Sequence, residues 1–456
     1  MDFSAANIAL WSPIIHMGIL AGLILLANVL RRKIKLIRNS LMPTAVLAGF
    51  ILLALRSFDI MPISAEFLET LTYHGIALGF IALALRVPEK ESQDGDIHPS
   101  KNGALIVSTY LVQAAVGLII SLGVAYTVNP DFFKASGILL AMGYGQGPGQ
   151  ANNVGTTYEN MGMVGGQSFG LSIAAAGYLC ACVVGVIYLN ILARKGKISR
   201  ADDKVHIAGS VTTEVFQDEN EIPVAESIDK FSVQAALVGL VYLLTYLVTW
   251  GIVSALEAVA PGLAKTVSSL LWGFNFIVGS LLATVCRVLF SRLRKKKIMN
   301  RQYQNNYLLS RISGVAFDLM IVAGIASIDI SDLSGNWLPF ILMAIAGGVV
   351  TFLYLKAMCR KLYPGYEYEG FLSMYGMLTG TISSGVLLLR EIDPEMKTPA
   401  SNNLITGSSF GIVFGAPILV AVSYAAQSDT ACWITFFLVL IYLAALLAFL
   451  LKGKKK

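Results

Sequence analysis

Long apolar runs constrain this chain more than any other feature of its sequence. A helix needs about 20 apolar residues to cross the roughly 30 Å hydrocarbon core of a bilayer. Eleven runs approach or reach that length, so the sequence predicts an all-α, polytopic membrane protein. The runs cover residues 7–30, 41–55, 68–87, 103–128, 169–192, 233–256, 267–290, 308–328, 337–358, 404–426 and 431–451.

The composition excludes most other classes of protein. Of the 456 residues, 55% are apolar and 14% are charged, and the mean hydropathy is +0.68. A soluble fold of this size cannot bury so much apolar surface, because surface area grows almost as fast as mass. The five cysteines are odd in number and lie in or beside apolar runs, which indicates buried thiols rather than structural disulfides.

Two further stretches are apolar over only half the thickness of a bilayer. Residues 135–143 and 370–380 are each followed by a polar segment rich in Gly, Ser, Thr or Asn. An apolar helix of that length rises about 15 Å, which is half a bilayer. We therefore expect two re-entrant segments, at 135–165 and 366–400, which enter the membrane and turn back.

The distribution of basic residues predicts the topology. If both segments are re-entrant and the amino terminus is outside, 31 of the 34 Lys and Arg fall on the cytoplasmic side. A full crossing by 135–155 instead moves the basic cluster at 194–197 outside, which is less favourable. The carboxyl terminus is then cytoplasmic, as expected for a multi-pass protein of the cell inner (plasma) membrane.

This topology divides the chain into two inverted halves. Residues 1–192 and 233–427 each hold five spans and one re-entrant segment, and the two segments enter from opposite faces. Residues 193–232 begin basic and become acidic, which is typical of a solvated cytoplasmic linker. Residues 428–456 form one extra C-terminal transmembrane helix with a basic tail.

The polar parts of the two re-entrant segments are the candidate site. Broken helices from inverted repeats are typical of secondary transporters, which bind substrate and coupling ion near the midplane. Helix amino termini attract anionic groups, and freed oxygens ligate hard cations. The predicted substrate-binding residues are Gly145, Gln146, Gly147, Gln150, Asn152, Asn153, Thr381, Ser383, Ser384 and Arg390. The predicted cation ligands are Asn153, Thr156, Asp318, Thr379 and Ser384.

Two charged residues each have two interpretations. Asp318 lies within an apolar run, where insertion of a carboxylate costs roughly 2.5–3.5 kcal/mol. It is either a cation or proton site or a structural carboxylate held by polar neighbours. Arg390 either faces a substrate carboxylate with its planar guanidinium or anchors the chain beside Glu391 and Asp393.

The sequence also resembles a known family. Four stretches carry the resemblance: Met42-Pro-Thr-Ala-Val-Leu-Ala-Gly49, Gly143-Tyr-Gly-Gln-Gly147 with Tyr158-Glu-Asn-Met-Gly162, the Ser- and Gly-rich residues 379–385, and Phe414-Gly-Ala-Pro417. From about residue 10 to 427 the chain is similar to the sodium/glutamate symporter family, the glutamate:Na⁺ transporters of bacterial inner membranes. That resemblance implies ten spans in two inverted halves, re-entrant loops that meet at the substrate, a homodimer and an elevator-like motion.

The chain departs from the family pattern in four places. Tyr144 stands where the family has His between two glycines, and residues 147–150 replace an Ala- and Thr-rich stretch. Arg390, Glu391 and Asp393 occupy a largely neutral region, and the eleventh span is additional. These departures leave the substrate and the choice between Na⁺ and H⁺ open.

Together these features predict a symporter for a small carboxylate amino acid of the glutamate type. Its partners would be that substrate, Na⁺ as coupling ion with no other cofactor, the lipid bilayer and a second copy, but no nucleic acid. The alternative is a Na⁺- or H⁺-coupled carrier of another organic anion. An intramembrane enzyme would need a nucleophile–base pair or HExxH spacing, and a channel would need matching filter residues. The sequence has neither, so we expect no enzymatic activity.

Overall fold

The computed structural model describes residues 2–39, 42–87, 99–198, 230–259, 268, 271–272, 275–299, 301–393 and 398–452. Helices build these parts of the chain, so the predicted all-α class is confirmed for the described residues. In chain order the helices are α1 (Ile8–Lys33), α2 (Lys35–Asn39), α3 (Thr44–Ser57), α4 (Ala65–Leu85), α5 (Pro99–Thr127), α6 (Pro148–Asn160), α7 (Gly166–Arg194), α8 (Lys230–Val259), α9 (Asn275–Lys295), α10 (Asn306–Ala326), α11 (Trp337–Leu362), α12 (Glu367–Thr379), α13 (Ile382–Arg390), α14 (Ala400–Ala425) and α15 (Asp429–Leu451).

Each of the eleven predicted runs overlaps a helix, although part of the run at 267–290 lies outside the described residues, and not every helix has the length of a full span. Within the described residues nine helices are long and apolar enough to cross a membrane, which is consistent with a polytopic membrane protein. α3 has only 14 residues, whereas α14 has 26 and includes the apolar stretch Phe414–Ala425. Most of the predicted linker, residues 199–229, lies outside the described residues.

The chain forms two compact units. The first comprises Met1–Thr70, Ser92–His206 and Ile321–Lys456, and the second comprises Leu71–Glu91 and Ile207–Met320. Both units draw on both halves of the sequence, so they do not coincide with the predicted repeats. The second unit has its own apolar core, built from Ile81, Ala82, Leu85, Val238, Val241, Ala283 and Leu309.

A helical hairpin follows α5 in the first unit. Its first arm runs from a 3-10 turn at Lys134–Ile138 to a π turn at Ala141–Gly145, and α6 is its second arm. Gly147 separates the arms with a φ of +84° and a ψ of −175°, a conformation that is essentially restricted to glycine. The rings of Phe133 and Tyr158 lie 5.2 Å apart, so the chain returns to where it began. We call residues 134–160 the first hairpin.

A second helical hairpin joins α12 and α13, and breaks at Gly380 and Thr381. Glycines allow its arms to touch, because a Cβ at Gly376 would lie 2.8 Å from the Cα of Gly385. We call residues 367–390 the second hairpin. Both hairpins coincide with the segments that were predicted to be re-entrant, although a helical hairpin by itself does not define a position in a membrane.

Candidate functional site

The tips of the two hairpins meet. A Cβ at Gly147 would lie 3.5 Å from the carbonyl oxygen of Gly380 and 3.5 Å from Cγ2 of Thr381. α7 lines the same point, because Gly177 leaves no room for a Cβ against the Thr379 carbonyl oxygen. The two interrupted segments that the sequence places far apart therefore form one site.

Hydrogen bonds along α5 locate the point at which the two tips meet. Asn102, near its start, accepts a hydrogen bond from the hydroxyl of Tyr363, just before the second hairpin (2.9 Å). Gln113, near its middle, donates Nε2 to the Leu378 carbonyl oxygen next to the tip (2.8 Å). Ser121 donates to the carbonyl oxygen of Lys134, where the first hairpin begins (2.6 Å). The hairpins therefore start at opposite ends of α5 and meet about 12–16 Å from either start.

Two helix amino termini converge on this point. α6 begins at Pro148 directly after Gly147, and α13 begins at Ile382 directly after Thr381. Gly147 has no side chain to cap α6, and the side chain of Thr381 accepts no capping hydrogen bond from α13. The first N–H groups of a helix lack intrahelical partners and carry a partial positive charge. Two such ends at one place favour an anionic ligand.

Several buried polar atoms at the tips have no hydrogen-bond partner. Gln150 is 1% exposed, yet both atoms of its amide are unpaired, as are Nδ2 of Asn153, Oγ1 of Thr381 and Oγ of Ser384. Buried polar groups are nearly always hydrogen-bonded in folded proteins. A ligand with hydrogen-bond donors and acceptors would satisfy these four side chains.

Other predicted residues at the tips already have contacts within the protein. Asn152 accepts from Nε2 of Gln167 at 2.8 Å, and the hydroxyl of Thr379 donates to the Tyr375 carbonyl oxygen at 2.7 Å. Gln146 is half-buried and lies 3.7 Å from the Met142 sulfur. Gly145 is buried, and a Cβ there would lie 2.8 Å from Oε1 of Gln113. These residues therefore contribute to the structure of the tips through contacts within the protein rather than through polar groups that are available to a ligand.

Two predicted residues lie away from the tips. Thr156 is exposed on α6, and Arg390 is exposed at the last residue of α13, about 12 Å along that helix from Thr381. Asp318 is exposed on α10, in the second unit, and its role as a cation ligand stays a prediction. The side chain of Ser383 lies outside the described part of the structure.

Two buried polar residues with unpaired atoms, of which Gln113 lies at the site, were not predicted from the sequence. Gln113 contacts both hairpins, and its Oε1 has no hydrogen-bond partner although its Nε2 is bonded to Leu378 and to Oγ1 of Thr351. Ser172 on α7 is also buried with an unpaired hydroxyl. Both lie within long apolar runs, where a polar residue every few turns is unremarkable. Their positions in those runs gave no signal that would single them out.

The site has the chemistry of a hard-cation or anion site rather than of a transition-metal centre. Within the described residues no three His, Cys, Asp or Glu side chains are grouped to hold a metal ion. All five cysteines are free thiols. A cation at the tips would therefore be held by amide, hydroxyl and carbonyl oxygens, which suit Na⁺ better than zinc or copper.

No protein-family model matches the sequence, and no curated protein matches it. The resemblance to the sodium/glutamate symporters therefore stays a prediction. Function is inferred from the geometry of the two hairpins.

Proposed function

We propose that this protein is a secondary active transporter, a Na⁺-coupled symporter of a small carboxylate amino acid of the glutamate type. The observation that carries the proposal is the meeting of two hairpin tips about halfway along α5, with two helix amino termini and unpaired buried polar groups around it. α5 is long and apolar enough to cross a membrane, so its middle corresponds to the midplane. Transporters bind their substrates at that depth between broken helices.

Both hairpins are then re-entrant, and they enter from opposite faces. Their starts lie at opposite ends of α5, as Asn102 and Ser121 indicate. α7 supports the same arrangement, because Gly177 adjoins the tip and Gly185, farther along, contacts Leu388 of the second hairpin. These contacts are the ones that two inverted repeats would make.

The chemistry of the tips suggests a role for each group. The carboxylate of the substrate would accept hydrogen bonds from the first N–H groups of α6 and α13. The amides of Gln150 and Asn153 would bind the remaining polar groups of the substrate. The Gly380 carbonyl oxygen and the hydroxyls of Thr381 and Ser384 would ligate Na⁺, as carbonyl and hydroxyl oxygens do for hard cations. Arg390 and Thr156 have no role in this site.

Both hairpins belong to one compact unit, which suits an elevator motion in which that unit carries the site across the membrane. The family resemblance adds a homodimer in a cell inner membrane, with the amino terminus outside and the carboxyl terminus in the cytoplasm. A carrier of another organic anion, coupled to Na⁺ or H⁺, would use the same two amino termini.

Uptake into proteoliposomes tests the proposal. Purified protein is expected to accumulate labelled glutamate against its gradient when Na⁺ is higher outside, and to stop when the Na⁺ gradient is collapsed. Accumulation of a different organic anion, or dependence on a pH gradient, would assign the alternative carrier. Equilibration of every tested anion without accumulation would contradict symport.

A further inference from the structure

A basic cavity of about 200 Å³ lies in the second unit, at the polar end of α9. Arg287, Arg294 and Arg301 line it, and none of its described lining residues is Asp or Glu. Three guanidinium groups around one space repel each other, and a bound anion would relieve that repulsion. The tendency of basic residues to collect at one face of a membrane does not require them to converge on a cavity.

Two of the arginines have N–H groups beyond those used in the hydrogen bonds described next. Arg287 donates Nη1 to the Arg86 carbonyl oxygen at 3.2 Å, and Arg294 donates Nη1 to Oε1 of Gln302 at 2.7 Å. A guanidinium carries five N–H groups, so one hydrogen bond leaves others for a ligand. Its planar fork matches two oxygens of one phosphate.

Buried amides hold one wall of the cavity in place. Nε2 of Gln302 donates to the Gln304 carbonyl oxygen at 3.0 Å, and Nε2 of Gln304 donates to the Leu85 carbonyl oxygen at 3.2 Å. The N–H of Asn305 donates to Oε1 of Gln234 at 3.2 Å. Gln302, Gln304 and Asn305 are all buried, so the wall is formed before any ligand binds, which lowers the entropic cost of binding.

Apolar side chains line another part of the cavity, which continues onto an exposed apolar face. Phe290 and Met299 line it together with Val288, which is 41% exposed, and the neighbouring Leu289 is 50% exposed. α9 is long and apolar enough to span a membrane and ends in basic residues. Because the apolar helix ends in basic residues, its arginines would lie at the depth of the lipid headgroups, and its apolar part would lie beside the acyl chains.

We propose that this cavity binds the phosphate of an anionic phospholipid headgroup, with the acyl chains along the apolar face of α9. Inorganic phosphate has the same charged group but no acyl chains. The adjoining apolar side chains therefore favour the lipid as the source of the phosphate.

Lipid retention by the full-length protein tests the proposal. Native mass spectrometry would compare phosphatidylglycerol with phosphatidylcholine on the wild type, on R294Q/R301Q and on the control R292Q/K296Q. The control loses the same charge from residues that do not line the cavity. The wild type is expected to prefer phosphatidylglycerol, and R294Q/R301Q should bind it about ten- to a hundred-fold more weakly, as expected for lost charge-assisted contacts. The control should stay within about two-fold of the wild type.

Competition with inorganic phosphate and crosslinking with a photoreactive lipid test the proposal further. Inorganic phosphate that displaces the lipid at equal concentration would assign a soluble phosphate and overturn the lipid. Equal retention of both lipids by the wild type, or equal loss in the control, would overturn the site. Because R294Q also removes a bond to Gln302, a photoreactive phosphatidylglycerol on the wild type provides a second measurement. Adducts within residues 287–304 are expected, and adducts confined to other helices would contradict the proposal.

Discussion

At the residue scale, two buried amides of the first unit have opposite surroundings. Asn102 is fully buried, donates Nδ2 to Oδ1 of Asn403 at 2.7 Å and accepts from the Tyr363 hydroxyl at 2.9 Å. Gln150 is 1% exposed, and neither atom of its amide has a partner. An unpaired buried amide costs about 1–3 kcal/mol, so Gln150 lowers the stability of the ligand-free protein. Binding to a ligand would explain why that position is polar.

Replacing Gln150 by Met is expected to abolish uptake without lowering the melting temperature. The substitution keeps the volume of the side chain and removes the unpaired amide. Asn102→Leu is the matched control, and should lower the free energy of unfolding by about 1–3 kcal/mol because Asn403 and Tyr363 lose their partner. Thermal unfolding and uptake per folded molecule measure both effects. Full uptake by Gln150→Met would remove Gln150 from the site.

Asp318 gives a second test at this scale. Asp318 is an exposed residue, whereas the proposed ligands Thr381 and Ser384 carry buried hydroxyl oxygens without a hydrogen-bond partner. Asp318→Asn is therefore expected to leave the Na⁺ concentration for half-maximal uptake unchanged, after normalisation to folded protein. Ser384→Ala is the comparison, since it removes a proposed ligand and should raise that concentration. A ten-fold rise in Asp318→Asn would restore Asp318 as a cation ligand, because losing one charge-assisted contact has about that effect.

At the element scale, the two tip glycines are needed for different reasons. Gly147 has a φ of +84°, while a Cβ there would meet its neighbours at an ordinary 3.5 Å. Gly380 has an unstrained φ of −138°, but a Cβ there would lie 2.9 Å from Oγ of Ser384 and 3.1 Å from the Gly376 carbonyl oxygen. At Gly380, therefore, a side chain would clash with its neighbours. At Gly147 the backbone conformation is the constraint.

Gly147→Ala is expected to abolish uptake and to destabilise the protein by about 1–3 kcal/mol, the cost of a side chain in that conformation. Gly162→Ala is the control, because Gly162 also has a positive φ, of +103°, but nothing lies within 4 Å of its Cβ position. It should lower stability and leave uptake per folded molecule unchanged. Equal uptake by the two variants would show that the conformation of the first hairpin tip is not required for transport.

The sequence predicted the hairpins because polar, Gly-rich tips interrupt helices of half the usual length. It did not predict the π turn at Ala141–Gly145 or the partners of the tips. Gln113 and Thr351 are joined at 2.9 Å although 238 positions separate them in the chain. Such contacts depend on how helices pack, and neither residue lies in a segment with a distinctive local pattern.

At the scale of the whole molecule, the extra C-terminal helix is part of the first unit rather than an appendage. Nε1 of Trp433 donates to the Tyr126 hydroxyl at 3.2 Å near the end of α5, and Nζ of Lys101 donates to the Leu450 carbonyl oxygen at 3.4 Å near its start. Asp429 forms an ion pair of 2.5 Å with Lys134, and this hydrogen bond holds the pKa of Lys134 above its ordinary value. α15 therefore lies along α5 and reaches the start of the first hairpin. The sequence predicted the helix but not its partner.

The proposal that the two hairpins enter the membrane from opposite faces gives the last prediction. It concerns the side of the membrane on which particular residues are exposed. Asn160 ends α6 beside the start of the first hairpin, and Arg390 ends α13 beside the start of the second. Both are exposed, as is Lys452 after α15. In a variant without the five native cysteines, Asn160→Cys should react with an impermeant maleimide in right-side-out vesicles. Arg390→Cys and Lys452→Cys should react only in inside-out vesicles.

The three labels separate two claims. Reaction of Asn160→Cys and Arg390→Cys from the same face would contradict opposite entry, and with it the inverted repeat and the midplane site. Labelling from opposite faces, but with the two faces exchanged, would support the proposed repeat and reverse the orientation that was predicted from the distribution of the basic residues. Lys452→Cys should match Arg390→Cys in either orientation, because α5 places the end of α15 beside the start of the second hairpin: Lys101 reaches Leu450 while the adjacent Asn102 reaches Tyr363.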